Sequence, residues 1–275
     1  MIDEISKIFD KDDFNLSIIM KKAKNIFWLL SIFLLTFYSC SNDTEDSSKL
    51  LMKVVKTQDN GISETILFSY NDSKIVNMDG TTSRTDFTYT DGLITKTVLL
   101  NKSNQLRETI DYKYLDGKLI EVTSSENYKI KYIHNVDRTV SYNKFSFDSA
   151  NQETKIYHGT LFFDNGNLTK DDRIFDNTAV GVISNEIRSF DYDGKKNPFN
   201  DITGYNRLLV QSQVVSSNNI VLIVEEFRVT KGDQITSSAS RNKCIYKYDA
   251  AGYPTEQNAE VSGANSGSIK SEYFY

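Results

Sequence analysis

Histidine and thiol chemistry have few candidates here, since the 275 residues include only two histidines and two cysteines. His134 and His158 do not form the His-x3-His spacing that presents two imidazoles to one metal. Each reads as a polar residue on a strand face. Cys244, followed by apolar Ile245, matches no local thiol-enzyme signature and reads as a buried structural thiol. The pairs Asp171-Asp172 and Glu225-Glu226 bring glycoside hydrolysis into view, because that reaction uses two carboxyl groups about 5–10 Å apart across a cleft. Neighbours along a strand point to opposite faces, so neither pair is a dyad by itself. Asp191-Tyr-Asp193-Gly194 and Asp164-Asn-Gly-Asn167 offer oxygens to calcium but lack the alternating ligands and distal glutamate of an EF-hand. They read as turns. No glycine-rich phosphate loop occurs. The expectation is no catalytic set, no metal site and no cofactor. A carboxylate hydrolase acting on an exported polymer is kept as the alternative, with its acids drawn from different strands.

The elements that would position these residues are strands. From Leu51 onward the pattern has period two, not 3.6. Phe87-Thr-Tyr89 runs into Asp91-Gly92 and out through Leu93-Ile94. The arrangement returns at Tyr112-Lys-Tyr114 around Asp116-Gly117, and at Leu161-Phe-Phe163 around Asn165-Gly166. Asp-Gly and Asn-Gly pairs between alternating runs are strong hairpin signals, because both central residues of a type I′ turn need positive φ. Degenerate copies follow Phe68-Ser-Tyr70, Phe190-Asp-Tyr192 and Tyr246-Lys-Tyr248. The turn-proximal aromatics are expected to stack on the next unit as cross-strand pairs. Spacing loosens after Phe175. The reading is therefore all-β, an antiparallel meander of repeated hairpins forming a curled or rolled sheet over 51–275. One short helix is expected around 203–215, with Leu208, Leu209 and Ser212 on one side. Ile220–Val224 is expected to be a strand buried on both faces, and Ser271–Tyr275 a terminal strand. An outer-membrane barrel is disfavoured: spanning strands need about 9–11 residues with an apolar lipid-facing set. The strands here read as shorter, and Lys96, Lys113, Glu121 and Lys129 recur within them.

Met20 to Asp43 supplies an address. Two lysines follow Met20, an apolar run follows them, and the run stops at Ser39-Cys40, the layout of a secretory signal. Ile26–Tyr38 would span about 20 Å as a helix, short of the roughly 30 Å of a hydrocarbon core. Phe37-Tyr38-Ser39-Cys40 resembles a relaxed bacterial lipobox, which implies acylation of Cys40 and membrane attachment through its acyl chains. Met1–Ile19 carries Asp3, Glu4, Asp10, Asp12 and Asp13, an unfavourable leader for export, so translation is expected to start at Met20. The organisation is then 1–19 upstream, 20–39 signal peptide, 40–50 polar tether and 51–275 a single β domain.

Phe68-Ser-Tyr-Asn71, Phe163-Asp-Asn-Gly-Asn-Leu168 and Tyr248-Asp-Ala-Ala-Gly-Tyr253 resemble the Tyr-Asp repeat of Rhs-type cell-surface proteins. The order of features over 40–275 is similar to a group of Bacteroidota lipoproteins. Among the matching features are a first strand like Leu50–Val55, the segment Tyr192-Asp-Gly-Lys-Lys-Asn-Pro-Phe199 and the Asn218-Asn219-Ile220 turn. The resemblance implies a cell-surface or outer-membrane lipoprotein and brings no catalytic residues with it. The acidic run Ser41–Asp46 resembles a signal for display on the outer face, with the periplasmic face as the alternative. Asp148-Ser149-Ala150 resembles a short O-glycosylation sequon used on exported Bacteroidota proteins, making Ser149 a candidate.

The net charge of −5 lacks the basic stripe of a nucleic-acid binder. Cys40 and Cys244 are the two cysteines, so an acylated Cys40 leaves no intramolecular disulfide, and stability must come from burial. The expected role is a non-enzymatic binding or structural module for a glycan or protein ligand.

Overall fold

A computed structural model describes residues 49–176, 178–209, 215–262 and 267–275. The start at Met20, the signal peptide, Cys40 and most of the tether lie outside the described residues. The described chain forms sixteen strands in one meander. The first eight are β1 (Lys53–Gln58), β2 (Ser63–Asn71), β3 (Lys74–Gly80), β4 (Ser83–Thr90), β5 (Leu93–Asn101), β6 (Arg107–Leu115), β7 (Lys118–Ser124) and β8 (Tyr128–His134). The second eight are β9 (Val140–Phe147), β10 (Glu153–Asp164), β11 (Asn167–Phe175), β12 (Val182–Lys196), β13 (Asn218–Lys231), β14 (Gln234–Tyr248), β15 (Pro254–Ser262) and β16 (Gly267–Phe274).

The sheet does not curl with free edges, as the sequence reading had it. It closes. β1 pairs antiparallel with β16, from Lys53↔Phe274 to Gln58↔Ile269, giving a closed barrel. Closure removes the unpaired N–H and C=O rows that a rolled sheet would expose at both edges. Strand length also departs from the expectation, since β10, β12, β13 and β14 run to 12, 15, 14 and 15 residues.

Tight turns at one end of the barrel follow directly from residue type. Asp91 and Gly92, Asp116 and Gly117, and Asn165 and Gly166 all have positive φ, as type I′ hairpins require. At this end of the barrel six strand pairs slip register by one residue. The slips fall at Ser69/Tyr70, Thr88/Tyr89, Lys113/Tyr114, Phe162/Phe163, Asp191/Tyr192 and Lys247/Tyr248. The extra residue sits on the returning strand and is β-branched each time: Val76, Thr95, Ile120, Thr169, Val221 and Thr255. Such a bulge bends the strand and re-aims its neighbours. Three of the threonines cap the partner strand where the ladder breaks: Thr169 Oγ1 donates to the Phe162 carbonyl at 3.1 Å, Thr255 to Lys247 at 3.3 Å and Thr95 to Thr88 at 3.5 Å.

The turn-proximal tyrosines lock hairpin to hairpin through their hydroxyls rather than by the ring stacking expected of them. Tyr70 donates to the Leu51 carbonyl (2.7 Å), Tyr114 to Ile94 (2.9 Å) and Tyr192 to Leu168 (2.5 Å). The acceptor residues Leu51, Ile94 and Leu168 are 0–1% exposed, so these phenols satisfy carbonyls that water does not reach. Burial raises the Tyr192 hydroxyl to about 12, which keeps it a donor.

The segment between β12 and β13 plugs this end of the barrel. Phe199 stacks on Tyr205 at 5.4 Å and tilts against Phe68, while Tyr205 meets Phe87. Ile202, Tyr205 and Leu208 are buried. The backbone of Thr203 bonds to Ser73 and to Tyr89. Gly204 has φ +72°, and a Cβ there would lie 2.8 Å from the Gly92 carbonyl, so only glycine fits between plug and wall. Among the described residues of 203–215 the expected short α-helix is not formed. Its described part holds one 3-10 turn, Tyr205–Arg207, because its apolar residues point into the lumen rather than along a helix face. Residues 210–214 lie outside the described residues. Ile220–Val224 is also buried differently from expectation: Ile220 and Ile223 are buried, whereas Val221, Leu222 and Val224 are half-exposed on the outer side.

Candidate functional site

Side chains alternate between an apolar and tyrosine-rich interior and an exterior that mixes charged residues with exposed apolar ones such as Leu67, Ile133, Ile245 and Phe274. On the outer wall Lys96 pairs with Asp111 (3.2 Å), Lys129 with Glu153 (2.5 Å) and Lys170 with Asp172 (3.4 Å). Glu256 holds Lys247 and Lys270, and Lys270 also meets Glu272. A lysine or arginine at the bilayer midplane costs a lipid-facing strand about 2–4 kcal/mol.

The lumen is the concave surface. Two cavities of ≈ 220 and ≈ 280 Å³ flank Phe199 and share Lys56, Gln257, Ser271 and Tyr273. Lys56 faces inward with Val54 yet is exposed, so this space opens to water away from the plug. A sixteen-stranded barrel ordinarily leaves an aqueous channel. Here the plug fills one end.

A third cavity, of ≈ 200 Å³, lies against β8–β12 and the plug residue Leu209. Its centre is a polar network on three strands. Tyr142 of β9 donates to Asp171 Oδ1 (2.5 Å) and accepts from Arg173 Nε (3.1 Å). Arg173 also reaches Asp171 Oδ2 (2.8 Å) and Glu186 Oε2 (2.9 Å), and it packs 4.6 Å from the Tyr157 ring centroid. Tyr142 crosses the intervening β10 at Gly159, its register partner, where a Cβ would come within 2.6 Å of the phenol and of the Asp172 carbonyl. Burial and then Asp171 push the Tyr142 hydroxyl up. Burial works against the Arg173 charge, but Tyr142 and Asp171 outweigh it and raise its pKa. The network is thus a protonated phenol and a fixed guanidinium between carboxylates. Arg188 pairs with Glu225 (2.8 Å) on the next strands.

The residues that stood out in the sequence take bland places. His134 Nε2 meets the Leu119 carbonyl at 2.8 Å, and His158 Nδ1 meets Asp176 at 2.8 Å on the outer face. Cys244 is 7% exposed, its thiol pushed up by burial, and it lines the cavity behind Phe199. Asp193 accepts from Tyr248 and from Asn219 Nδ2, so it anchors the chain around the plug. Asp171 faces the lumen and Asp172 the outside. Asp171 and Glu186 share one guanidinium, and Glu225 holds another. None stands as a free acid facing a partner carboxylate. Ser149 is exposed in the β9–β10 turn at the rim away from the plug. Cys40 lies outside the described residues. Sequence reasoning missed Tyr142, Lys144, Gly159, Arg173 and Glu186. The readable signal was Gly159, a lone glycine inside a strand pattern, which marks a close approach.

No family model matches this chain, and no curated protein does. Among solved structures, a porin-like protein from Bacteroides vulgatus ATCC 8482 matches with TM-score 0.52 and 15% identity over 83% of this chain and 99% of that one. A porin-like protein from Bacteroides uniformis ATCC 8492 has TM-score 0.47 and 11% identity over 82% and 97%. At such identity the first likeness is one of fold.

Proposed function

We propose that this chain is a non-enzymatic cell-envelope barrel, held at the outer membrane by acyl chains on Cys40, whose lumen binds a glycan. One observation supports the reading: ion pairs recur across the outer wall, around a lumen filled by the plug at one end and lined by exposed Lys56 away from it. A lipid-embedded pore would need an apolar outer band, and a hydrolase would need unpaired carboxyls across a cleft. The lumen instead offers aromatic faces with a few placed polar groups, the composition of a small-ligand site. A tether from Cys40 joins the barrel at Lys49, beside Tyr253 and Asp249 on the plugged side, which favours presentation of the open end. The acidic run after Cys40 supports the cell surface over the periplasmic face.

The test is a glycan array probed with the purified protein, alongside labelling of cells with a radioactive fatty acid. Bound glycan with loss of label in Cys40→Ser supports the proposal. A blank array counts against binding, and label retained in Cys40→Ser counts against the anchor.

A further inference from the structure

Lys144 enters the third cavity from β9 without a counter-ion. Among the described residues no carboxylate lies within ion-pair distance of its Nζ, which instead sits 4.3 Å from the Tyr128 ring centroid and 5.6 Å from that of Tyr157. Aromatic faces attract an ammonium but accept none of its three N–H donors in hydrogen-bond geometry. Arg173, fixed nearby, adds repulsion, whereas Glu108 is already engaged by Ser124 (2.7 Å) and Tyr128 (3.1 Å). Burial and then Arg173 lower the Lys144 pKa, with Glu108 opposing. The lining carries Lys144, Arg173 and Arg188 against the single carboxylate Asp171.

A second observation points the same way. Tyr132, only 6% exposed, and Tyr157 both line this cavity, and neither hydroxyl has a hydrogen-bond partner among the described residues. Both hydroxyls are thus left open to the cavity as hydrogen-bond donors and acceptors. Two free phenols and one free ammonium around ≈ 200 Å³ therefore ask for one small ligand that bears both hydroxyl groups and an anionic group.

We propose that the cavity between Lys144, Tyr132 and Tyr157 takes the acidic sugar unit of a glycan, its carboxylate on Lys144 and its hydroxyls on the two phenols. This rests on the lumen being a binding site and names the ligand class. The Tyr128 and Tyr157 rings flank the ammonium, so the sugar reaches it between two aromatic walls. Asp171 does not repel the ligand, because Tyr142 and Arg173 occupy its oxygens.

The experiment is calorimetric titration of the full acylated protein with glucuronate and with glucose, which shares the ring but not the charge. Glucuronate is expected to bind at least tenfold tighter than glucose. Lys144→Gln should lose at least tenfold in glucuronate affinity, Tyr157→Phe should weaken it several-fold, and Lys113→Gln on the outer wall should leave it unchanged. Equal binding of the two sugars, or wild-type glucuronate affinity in both Lys144→Gln and Tyr157→Phe, overturns the acidic-sugar assignment while leaving lumen binding in place. No binding of either sugar overturns it too, and the glycan array on the same preparation then tells whether the wider reading fails with it. Tyr157→Phe removes one oxygen without changing shape, so its result does not hinge on refolding.

Discussion

Tyr142 passes over Gly159 so closely that a Cβ on the glycine would stand 2.6 Å from the phenol. The glycine lets a side chain from β9 cross β10 and reach Asp171 and Arg173 on β11. A ring laid over a strand glycine also restores cover that the missing side chain does not supply.

Gly159→Ala should therefore destabilise the barrel by about 1–3 kcal/mol, the usual cost of overpacking. The new methyl meets both the phenol and a backbone carbonyl, so Tyr142 cannot simply rotate clear of it. Urea unfolding followed by circular dichroism checks this. A midpoint equal to wild type would show that the crossing is not tight.

The bulge threonines make a graded series. Thr169→Val deletes the 3.1 Å bond to Phe162 and should cost about 0.5–1.5 kcal/mol. Thr255→Val deletes the longer bond of 3.3 Å to Lys247, beyond the usual O–H···O range, and should cost less. Chemical denaturation of the two variants side by side is the measurement, and a reversed order would remove the capping role of the hydroxyls.

The outer wall sets an acid response. Bonds from Lys247 and then Lys270 depress the Glu256 carboxyl to about 2, from 4.5. A folded pKa below the unfolded one means that the contribution is complete above pH 4.5 and is lost as pH falls toward 2. Thermal melts from pH 6 to pH 2.5 should fall less steeply for Glu256→Gln than for wild type. Parallel curves would show that the exposed cluster contributes nothing to acid stability.

How much of this was legible in the sequence depends on locality. Asp91-Gly92 and Asn165-Gly166 announce their hairpins because positive φ is a property of the residues themselves. Closure was not legible: the pairing Val54↔Tyr273 joins residues 219 apart (273 − 54), and no period within a strand encodes which distant edge it meets. The plug was misread for a related reason. Leu208 and Leu209 stand four and three residues before Ser212, a helical spacing, but the lumen around the leucines decides their backbone. The network of Tyr142, Asp171 and Arg173 draws on β9 and β11, and only the register across Gly159 brings it together. The charges at Lys96, Lys113 and Lys129 weighed against a barrel in the sequence, yet the strands that carry them close into one.

The central claim is that water, not lipid, surrounds this barrel. A fluorophore on single cysteines placed at Thr88, Lys113 and Lys247, in the acylated protein reconstituted on vesicles, tests it most directly. Aqueous iodide should quench all three positions, and nitroxide-labelled lipid acyl chains should leave them bright. Quenching by the lipid nitroxides with protection from iodide would place the wall in the bilayer and contradict the account.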